Sequence, residues 1–383
     1  MKLFVITSSR ADYGLLRPLL LRIKGDNFFD LKIIATGSHL SKDFGYTYKE
    51  ITNDKFHIFK KIDIVQSHDR PVDIANSSAI AIKSFGQLYA KHKPDAIFVL
   101  GDRYEVFCSV FAALFFKIPV IHYSGGEKTI GAYDDSIRHS ITKMSHLHFV
   151  SCLDYRKRVI QLGENPKHVF NVGSLGIDNI KNLKLFSKSE LEQSLNLKLS
   201  KPTFLVSYYP ETLSKLTAKQ QFQQVLEALS FFKNHQIIFT KSNADNDGRI
   251  ISKMIDQFVE INPNACAFES LGVVRYLSAI KHVELVIGNS SSGYTEVPSF
   301  NVPTINIGNR QKGRVKAQSI IDVEIDALKI KAGIITALKK EFRNKLKNHK
   351  SPFGYGDSSL QIIKRIKRFN FDDVIQKEFN DQV

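Results

Sequence analysis

Three acids stand just beyond apolar runs that end in turn residues, and their placement is the first chemical signal in this chain. The run 96–100 is followed by Gly101-Asp102-Arg103-Tyr104-Glu105, which sets a carboxylate beside a guanidinium. The run 120–123 leads into Ser124-Gly125-Gly126-Glu127-Lys128-Thr129, whose paired glycines let backbone approach a ligand closely. Beyond it comes Tyr133-Asp134-Asp135-Ser136-Ile137-Arg138-His139. Carboxylates at successive loops, here Asp102, Glu127 and Asp134, could furnish the general acid and base of a sugar reaction, with Arg103 holding a phosphate or lowering the pKa of Asp102. The plainer reading is that Asp102, Asp134 or Asp135 caps a helix, while Arg138 and His139 face solvent or pair with acids. Taken as a cluster, the three loops favour chemistry over capping.

A second set lies farther along. Gly288-Asn289-Ser290-Ser291-Ser292-Gly293 joins an apolar run to a helix expected at 294–297. Backbone N–H groups and hydroxyls at a helix N-terminus make a ready anion site, and Glu296 lies where a carboxylate could grip ribose hydroxyls. The Gly-Lys-Ser/Thr ending of a Walker loop is missing. After the next run, Asn309-Arg310-Gln311-Lys312-Gly313-Arg314 offers three cations to a diphosphate, or else forms a solvated basic turn.

Elements that position these loops can be read from the same pattern. Strand-like runs at 3–7, 31–36, 96–100, 120–123, 148–150 and 169–172 alternate with helical segments, which indicates a parallel sheet wrapped by helices. A helix at 13–24 follows the Thr7-Ser8-Ser9-Arg10 turn. The stretch 181–201, rich in Lys, Ser and Leu, interrupts the alternation and ends at Pro202, where a domain boundary is expected. A second series has strands at 203–207, 236–240, 285–288 and 304–307 and helices near 219–234, 249–261 and 271–280. The expected fold is α/β, two doubly wound domains enclosing a cleft at the carboxyl ends of their strands.

Composition narrows the classes. At 383 residues the chain has room for two cores, and 43% hydrophobic with 24% charged residues excludes disorder as the default. The most apolar stretch, 106–121, is broken by Lys117 and Pro119, so no membrane partner is expected. Cys108, Cys152 and Cys266 show no paired metal-type spacing, which fits a reducing, cytoplasmic compartment and no metal. Lys plus Arg total 54 against 38 Asp plus Glu, a net charge of +16 that attracts anions. Much of the excess falls late, from Lys339 to Arg368, at spacings that suit solvated helix faces. A polyanion-binding protein is the alternative class, but no nucleic-acid-binding signature accompanies the charge and no nucleic-acid partner is expected.

Ordered along nearly the whole chain, Thr7-Ser8-Ser9-Arg10-Ala11-Asp12-Tyr13-Gly14, Thr36-Gly37-Ser38-His39, Gly101-Asp102-Arg103, Gly125-Gly126-Glu127, Asp134 through Lys143, Gly288 through Gly293, Arg310 through Arg314 and Gly356-Asp357 resemble the motif series of the hydrolysing UDP-N-acetylglucosamine 2-epimerases of bacterial sialic acid synthesis. The resemblance implies two Rossmann-like domains of the glycosyltransferase-B type, at 1–180 and 202–355, with a C-terminal helix within 356–383 crossing back to the first. It implies UDP and N-acetylmannosamine as products of a UDP-sugar, through a 2-acetamidoglucal, with no cofactor and as a homodimer or homotetramer. By the same resemblance Arg10, Ser290, Ser291 and Arg310 hold the diphosphate, Glu296 the ribose, and Asp102, Glu127 and Asp134 supply acid/base groups. Arg103, Ser292 and Gly293 join the nucleotide set, and His39, Asp135, Arg138, His139, Tyr209, Asn243, Lys312 and Arg314 are further candidates.

Two positions depart from the family pattern. In Ser207-Tyr208-Tyr209-Pro210-Glu211-Thr212 the family usually has a His where Tyr209 stands, and some relatives carry Glu or His at Ser124. A phenol, with an ordinary pKa near 10, cannot carry an imidazolium charge. These changes bear on the sugar, and the alternative substrate is UDP-2,4-diacetamido-2,4,6-trideoxyglucose of legionaminic acid synthesis.

Overall fold

The computed structural model describes residues 1–65, 70–130, 132–241, 247–346, 351–354 and 356–381, so the candidate Asn243 lies outside the described residues. Two compact units emerge, one made of Met1–Glu127, Asp134–Asn182 and Phe353–Val383, the other of Lys128–Tyr133 and Leu183–Pro352.

The first unit is built on β1 (Lys2–Thr7), β2 (Asp30–Thr36), β3 (Ile58–Ile62), β4 (Ala96–Leu100), β5 (Val120–Tyr123), β6 (Leu147–Val150) and β7 (Val169–Asn171). All neighbours pair parallel, in the order β3-β2-β1-β4-β5-β6-β7. Continuous apolar strands are what a sheet covered on both faces requires. Alternate residues serve the two faces: Leu3, Val5, Ala96 and Phe98 enter one core, while Phe4, Ile6, Ile97 and Val99 enter the other.

The helix Ser358–Arg368 belongs to this unit. Its Ile362, Ile363 and Ile366 join the core that Leu16, Leu19 and Leu20 of the helix Arg10–Lys24 also line. Full burial of each isoleucine contributes about 1.5–3 kcal/mol. Its N-terminus is held by Asp178, a fully buried carboxylate that accepts from the N–H groups of Ser358 (2.8 Å) and Ser359 (2.7 Å). Negative charge there offsets the helix dipole.

The second unit carries β8 (Thr203–Ser207), β9 (Gln236–Thr240), β10 (Ala265–Phe268), β11 (Leu285–Gly288), β12 (Thr304–Ile307) and β13 (Ile320–Val323), again all parallel, in the order β10-β9-β8-β11-β12-β13. Phe204, Val206, Phe239, Ile287 and Ile305 pack against helices through Phe222, Val225, Ile330 and Ile334. Within the stretch 181–201, which interrupts the alternation, Ser187 caps a helix, Lys188–Leu195, with Glu190 completing a capping box. In each sheet the winding reverses between the first strand and its neighbour, β1/β4 and β8/β11, and such points are where these sheets bind ligands.

Candidate active site

In the first unit three loops meet at the reversal. The loop after β1 is folded around Asp12, whose carboxylate accepts from the N–H groups of Ser8 (2.7 Å) and Ser9 (2.9 Å) and from the Thr7 hydroxyl (2.8 Å). Ser9 caps the following helix, placing Arg10 at its first turn. Since Thr7 donates to Asp12, it accepts from Nε2 of His39 (2.9 Å), and Thr47 meets the other ring nitrogen (2.9 Å). Burial holds His39 neutral, its pKa pushed down to about 4 against the pull of Asp12. His39 therefore ties two loops together and offers no open nitrogen.

Arg138 is the hub. It is 1% exposed, and its guanidinium pairs with Asp102, with Asp135 (3.3 Å), and with the backbone carbonyl of Glu127 (3.0 Å). One buried cation thus gathers the loop after β4, the loop after β5 and the helix Asp134–Met144. The Asp102 side chain keeps 23% of its surface, so it faces solvent on one side and a desolvated guanidinium on the other. Ion pairing of this kind stabilises the carboxylate form. Arg103 lies on the fully buried Glu105 (3.0 Å), so the guanidinium gripping Asp102 is that of Arg138, 36 residues away, and not only its chain neighbour. The N-cap of the helix Tyr104–Phe115 is Arg103, which removes the capping reading of Asp102. Glu127 is buried, Asp134 is the half-buried first residue of its helix, and His139 lies 3.5 Å from Asp135.

Behind the hub, His122 on β5 donates from Nε2 to the carbonyl of Gly101 (2.9 Å), which leaves Nδ1 to accept and faces it with the Thr142 hydroxyl (3.2 Å). Burial pushes its pKa down to about 3. The neutral ring fixes Gly101, which has φ +82°, and with it the direction in which Asp102 leaves the strand.

In the second unit the loops after β8, β11 and β12 are stitched by Asn289. Its buried amide accepts from the Tyr209 N–H (2.8 Å) and donates to the Tyr209 carbonyl (2.8 Å). The Asn289 carbonyl accepts from Arg310 Nη1 (3.3 Å) and Gln311 Nε2 (2.7 Å). Gly288 makes the turn possible at φ +136°, since a Cβ there would strike the backbone of Ser207. Glu211 accepts from the N–H groups of Asn309 (2.5 Å) and Arg310 (2.9 Å), and burial pushes its pKa up against those donors. The Arg310 guanidinium sits over the Tyr209 ring, 5.1 Å from its centroid. The basic turn is therefore built and only partly solvated: Gln311 is fully buried, Arg310 and Arg314 half-buried, Lys312 exposed.

The serine loop differs from its expected form. A four-residue helix, Ser292–Thr295, starts after Ser291, and a 3-10 turn, Val297–Phe300, follows because Pro298 cannot continue the ladder. Ser290 and Ser291 are half-buried and Gly293 is buried. Glu296 is buried, with its pKa raised by desolvation. Beside it lies Tyr276, whose pKa is raised by burial and by the charge of Glu296. The hydroxyls of Tyr276 and Ser292 are buried without a hydrogen-bond partner among the described residues. Tyr276 escapes a sequence reading because an aromatic on an amphipathic helix looks like core. Asp12, Glu105, Glu211 and Asn289 escape it as well, although the capping-box spacing of Ser9 and Asp12 marks the first of them.

The family model for UDP-N-acetylglucosamine 2-epimerase matches residues 21–367 of this chain. A GDP/UDP-N,N'-diacetylbacillosamine 2-epimerase (hydrolyzing) of Campylobacter jejuni is 44% identical over 382 residues, 99% of each chain. The polysialic acid biosynthesis protein P7 of Escherichia coli is 42% identical over 372 residues, 96% of this chain and 94% of the other. Among solved structures, the UDP-GlcNAc 2-epimerase of Neisseria meningitidis bound to UDP-GlcNAc superimposes with a TM-score of 0.82 at 18% identity, covering 96% of this chain and all of that one, a likeness of fold. Two Rossmann-like α/β domains, a match over most of the length and relatives above 40% identity lead to one conclusion: the chain belongs to the UDP-N-acetylglucosamine 2-epimerase family.

Proposed function

We propose that the protein is a hydrolysing 2-epimerase of a UDP-sugar, and that its sugar is 2,4-diacetamido-2,4,6-trideoxyglucose. The carrying observation for the reaction is the buried Arg138 guanidinium gripping Asp102 at the reversal of the first sheet in a chain of this family. For the sugar it is the 44% identity across the whole chain to a relative named for N,N'-diacetylbacillosamine. This ordering reverses the expectation from sequence, which put UDP-N-acetylglucosamine first. That substrate is the second reading, favoured by the 42% identity to a relative named for polysialic acid biosynthesis.

The C2 proton passes to a carboxylate among Asp102, Glu127 and Asp134 as the C1–O bond breaks and its electron pair leaves on UDP, giving a 2-acetamidoglucal. Water then adds its oxygen to C1, and a proton returns to C2 on the opposite face. The C2 hydrogen is weakly acidic, so the elimination needs charge stabilisation on the leaving diphosphate, supplied by Arg10, Arg310 and the N–H and hydroxyl groups of Ser290 to Gly293. Glu296, with Tyr276 and Ser292, takes the ribose side of the nucleotide.

A homodimer or homotetramer belongs to this reading. Along the helix Tyr104–Phe115, Phe107, Phe111 and Phe115 form a ring-on-ring stripe, with Phe115 68% and its neighbour Leu114 50% exposed. Sedimentation of the purified protein checks it. A cytoplasmic site fits three free thiols.

The test is to incubate the protein with UDP-N,N'-diacetylbacillosamine, its GDP counterpart and UDP-N-acetylglucosamine in parallel and identify both products by NMR. Free 2,4-diacetamido-2,4,6-trideoxymannose and UDP, formed fastest from the first, is expected. Free N-acetylmannosamine as the fastest product supports the second reading, and an intact nucleotide-linked epimer rules out hydrolysis. Salt-sensitive nucleic-acid binding without turnover of any sugar would instead indicate a polyanion-binding protein.

A further inference from the structure

The helix Asp134–Met144 carries Asp134, Asp135 and Arg138 at its N-terminal half, and its other end is held by a residue from far along the chain. The ammonium of Lys377 donates to the backbone carbonyls of Lys143 (2.7 Å) and Ser145 (2.7 Å) and pairs with Glu164 (2.6 Å), which uses all three of its N–H bonds. Glu164 is 1% exposed and also receives Lys143 (2.8 Å) and His148 (2.9 Å). Its carboxyl is held down to about 2: burial pushes it up, and its interactions with His148, Lys377 and Lys143 outweigh that. Two residues on, the Phe379 ring covers Gly163, whose φ of +84° and lack of Cβ make room for it. The Lys143 ammonium lies 4.7 Å from that ring, and the Asn380 N–H donates to the Gly163 carbonyl (3.0 Å).

The last carbonyls of any helix lack partners within it, and a cation there also opposes the dipole. An 11-residue helix is too short to hold its place by itself, so its position comes from what pins each end. One pin is Arg138 on Asp102. The other is Lys377, about 7.5 Å farther along the axis at the level of Lys143.

We infer that the segment 377–380 is a strap and that Lys377 is a positioning residue, setting the helix that carries Arg138 and thereby the direction of the Asp102 carboxylate. This rests on the proposed role of Asp102. A misplacement near 1 Å is enough to cost up to about 10²-fold in rate.

The experiment compares full-length wild type, Lys377→Met, Lys377→Arg and Phe379→Ala by steady-state kinetics and by amide hydrogen exchange of residues 134–144. The strap requires Lys377→Met to lower kcat by roughly 10- to 100-fold with KM within about twofold, to speed exchange in the helix roughly tenfold, and Lys377→Arg to restore most of both. Phe379 is 62% exposed, so Phe379→Ala folds in any case and should move both readouts the same way by a smaller factor. It decides the matter if Lys377→Met does not fold. A lower Tm with kcat and helix exchange unchanged would make Lys377 a stabilising residue only and overturn the inference. If the wild type turns over no nucleotide sugar, the proposed function falls while the exchange data still test the strap.

Discussion

The two units share a plan and differ in what they hang on it. Both are all-parallel sheets whose winding reverses beside the first strand, and both present three loops at that point. In the first unit the loops hold carboxylates against guanidinium groups, the buried Arg138 on Asp102 and Asp135 and the half-buried Arg103 on Glu105. In the second the corresponding loops hold hydroxyls, N–H groups and cations, stitched by Asn289 and Glu211. Under the proposed function one topology serves both to move protons and to hold an anion, and the choice lies in a few side chains.

If that division is right, Asp102→Asn should strike hardest. The substitution keeps shape and removes the proton-accepting charge, so kcat should fall on the order of 10²–10⁴-fold while UDP affinity stays within about threefold. Steady-state kinetics and calorimetric UDP titration measure the two separately, and wild-type turnover would remove Asp102 from the chemistry. Arg310→Gln should act through the nucleotide instead, weakening UDP binding by roughly 10- to 100-fold as charge-assisted hydrogen bonds are lost. Lost turnover with unchanged UDP affinity would break the comparison.

Acid should separate the units next. In the first unit burial lowers His39 to about 4, His122 to about 3 and His146 to about 4 from 6.5. A histidine depressed in the folded state binds its proton more readily when unfolded, so the stability it contributes is whole above pH 6.5 and is lost as pH falls toward 4. Glu164, held at about 2 against an ordinary 4.5, adds to the loss once pH falls below about 4.5, because the unfolded chain takes up its proton there while the folded one does not. The second unit has a lesser liability in the partly buried His235. Amide exchange followed down through this range should find the first sheet losing protection before the second, and the reverse order would contradict the burial argument.

The smallest effect concerns Tyr209. Its ring supports the Arg310 guanidinium at 5.1 Å, an interaction worth about 0.5–1 kcal/mol where solvent reaches it. Tyr209→Leu should weaken UDP binding by about two- to fivefold and Tyr209→Phe should not, by the same titration. Equal losses in both variants would shift the role from the ring to the hydroxyl.

How far this was legible in the sequence follows the physics of burial. Strands β4, β5, β8, β9, β11 and β12 were readable to the residue because they are short apolar runs buried on both faces. The three strands that the sequence pattern does not reveal, β3, β10 and β13, are all sheet edges. An edge strand has one neighbour and less to bury: Ile58-Phe59-Lys60-Lys61-Ile62 exposes both lysines, and Ala265–Phe268 is half-buried throughout. At the site, residue types were legible and partners were not. Nothing local says that Arg138, on a helix surface pattern, is the buried hub joining two loops to its own helix, because its pairing with Asp102 spans 36 residues. The Glu164–Lys377 pair spans still more of the chain and is fixed only by the closed fold.

Under the proposed function the first unit removes and replaces the proton at C2 and the second holds the departing nucleotide. The most direct test of this division is turnover in deuterated water with NMR of the released sugar. One deuterium at C2 of essentially every product molecule, with inverted configuration, is the expected result. Retention of the original hydrogen at C2 would contradict it.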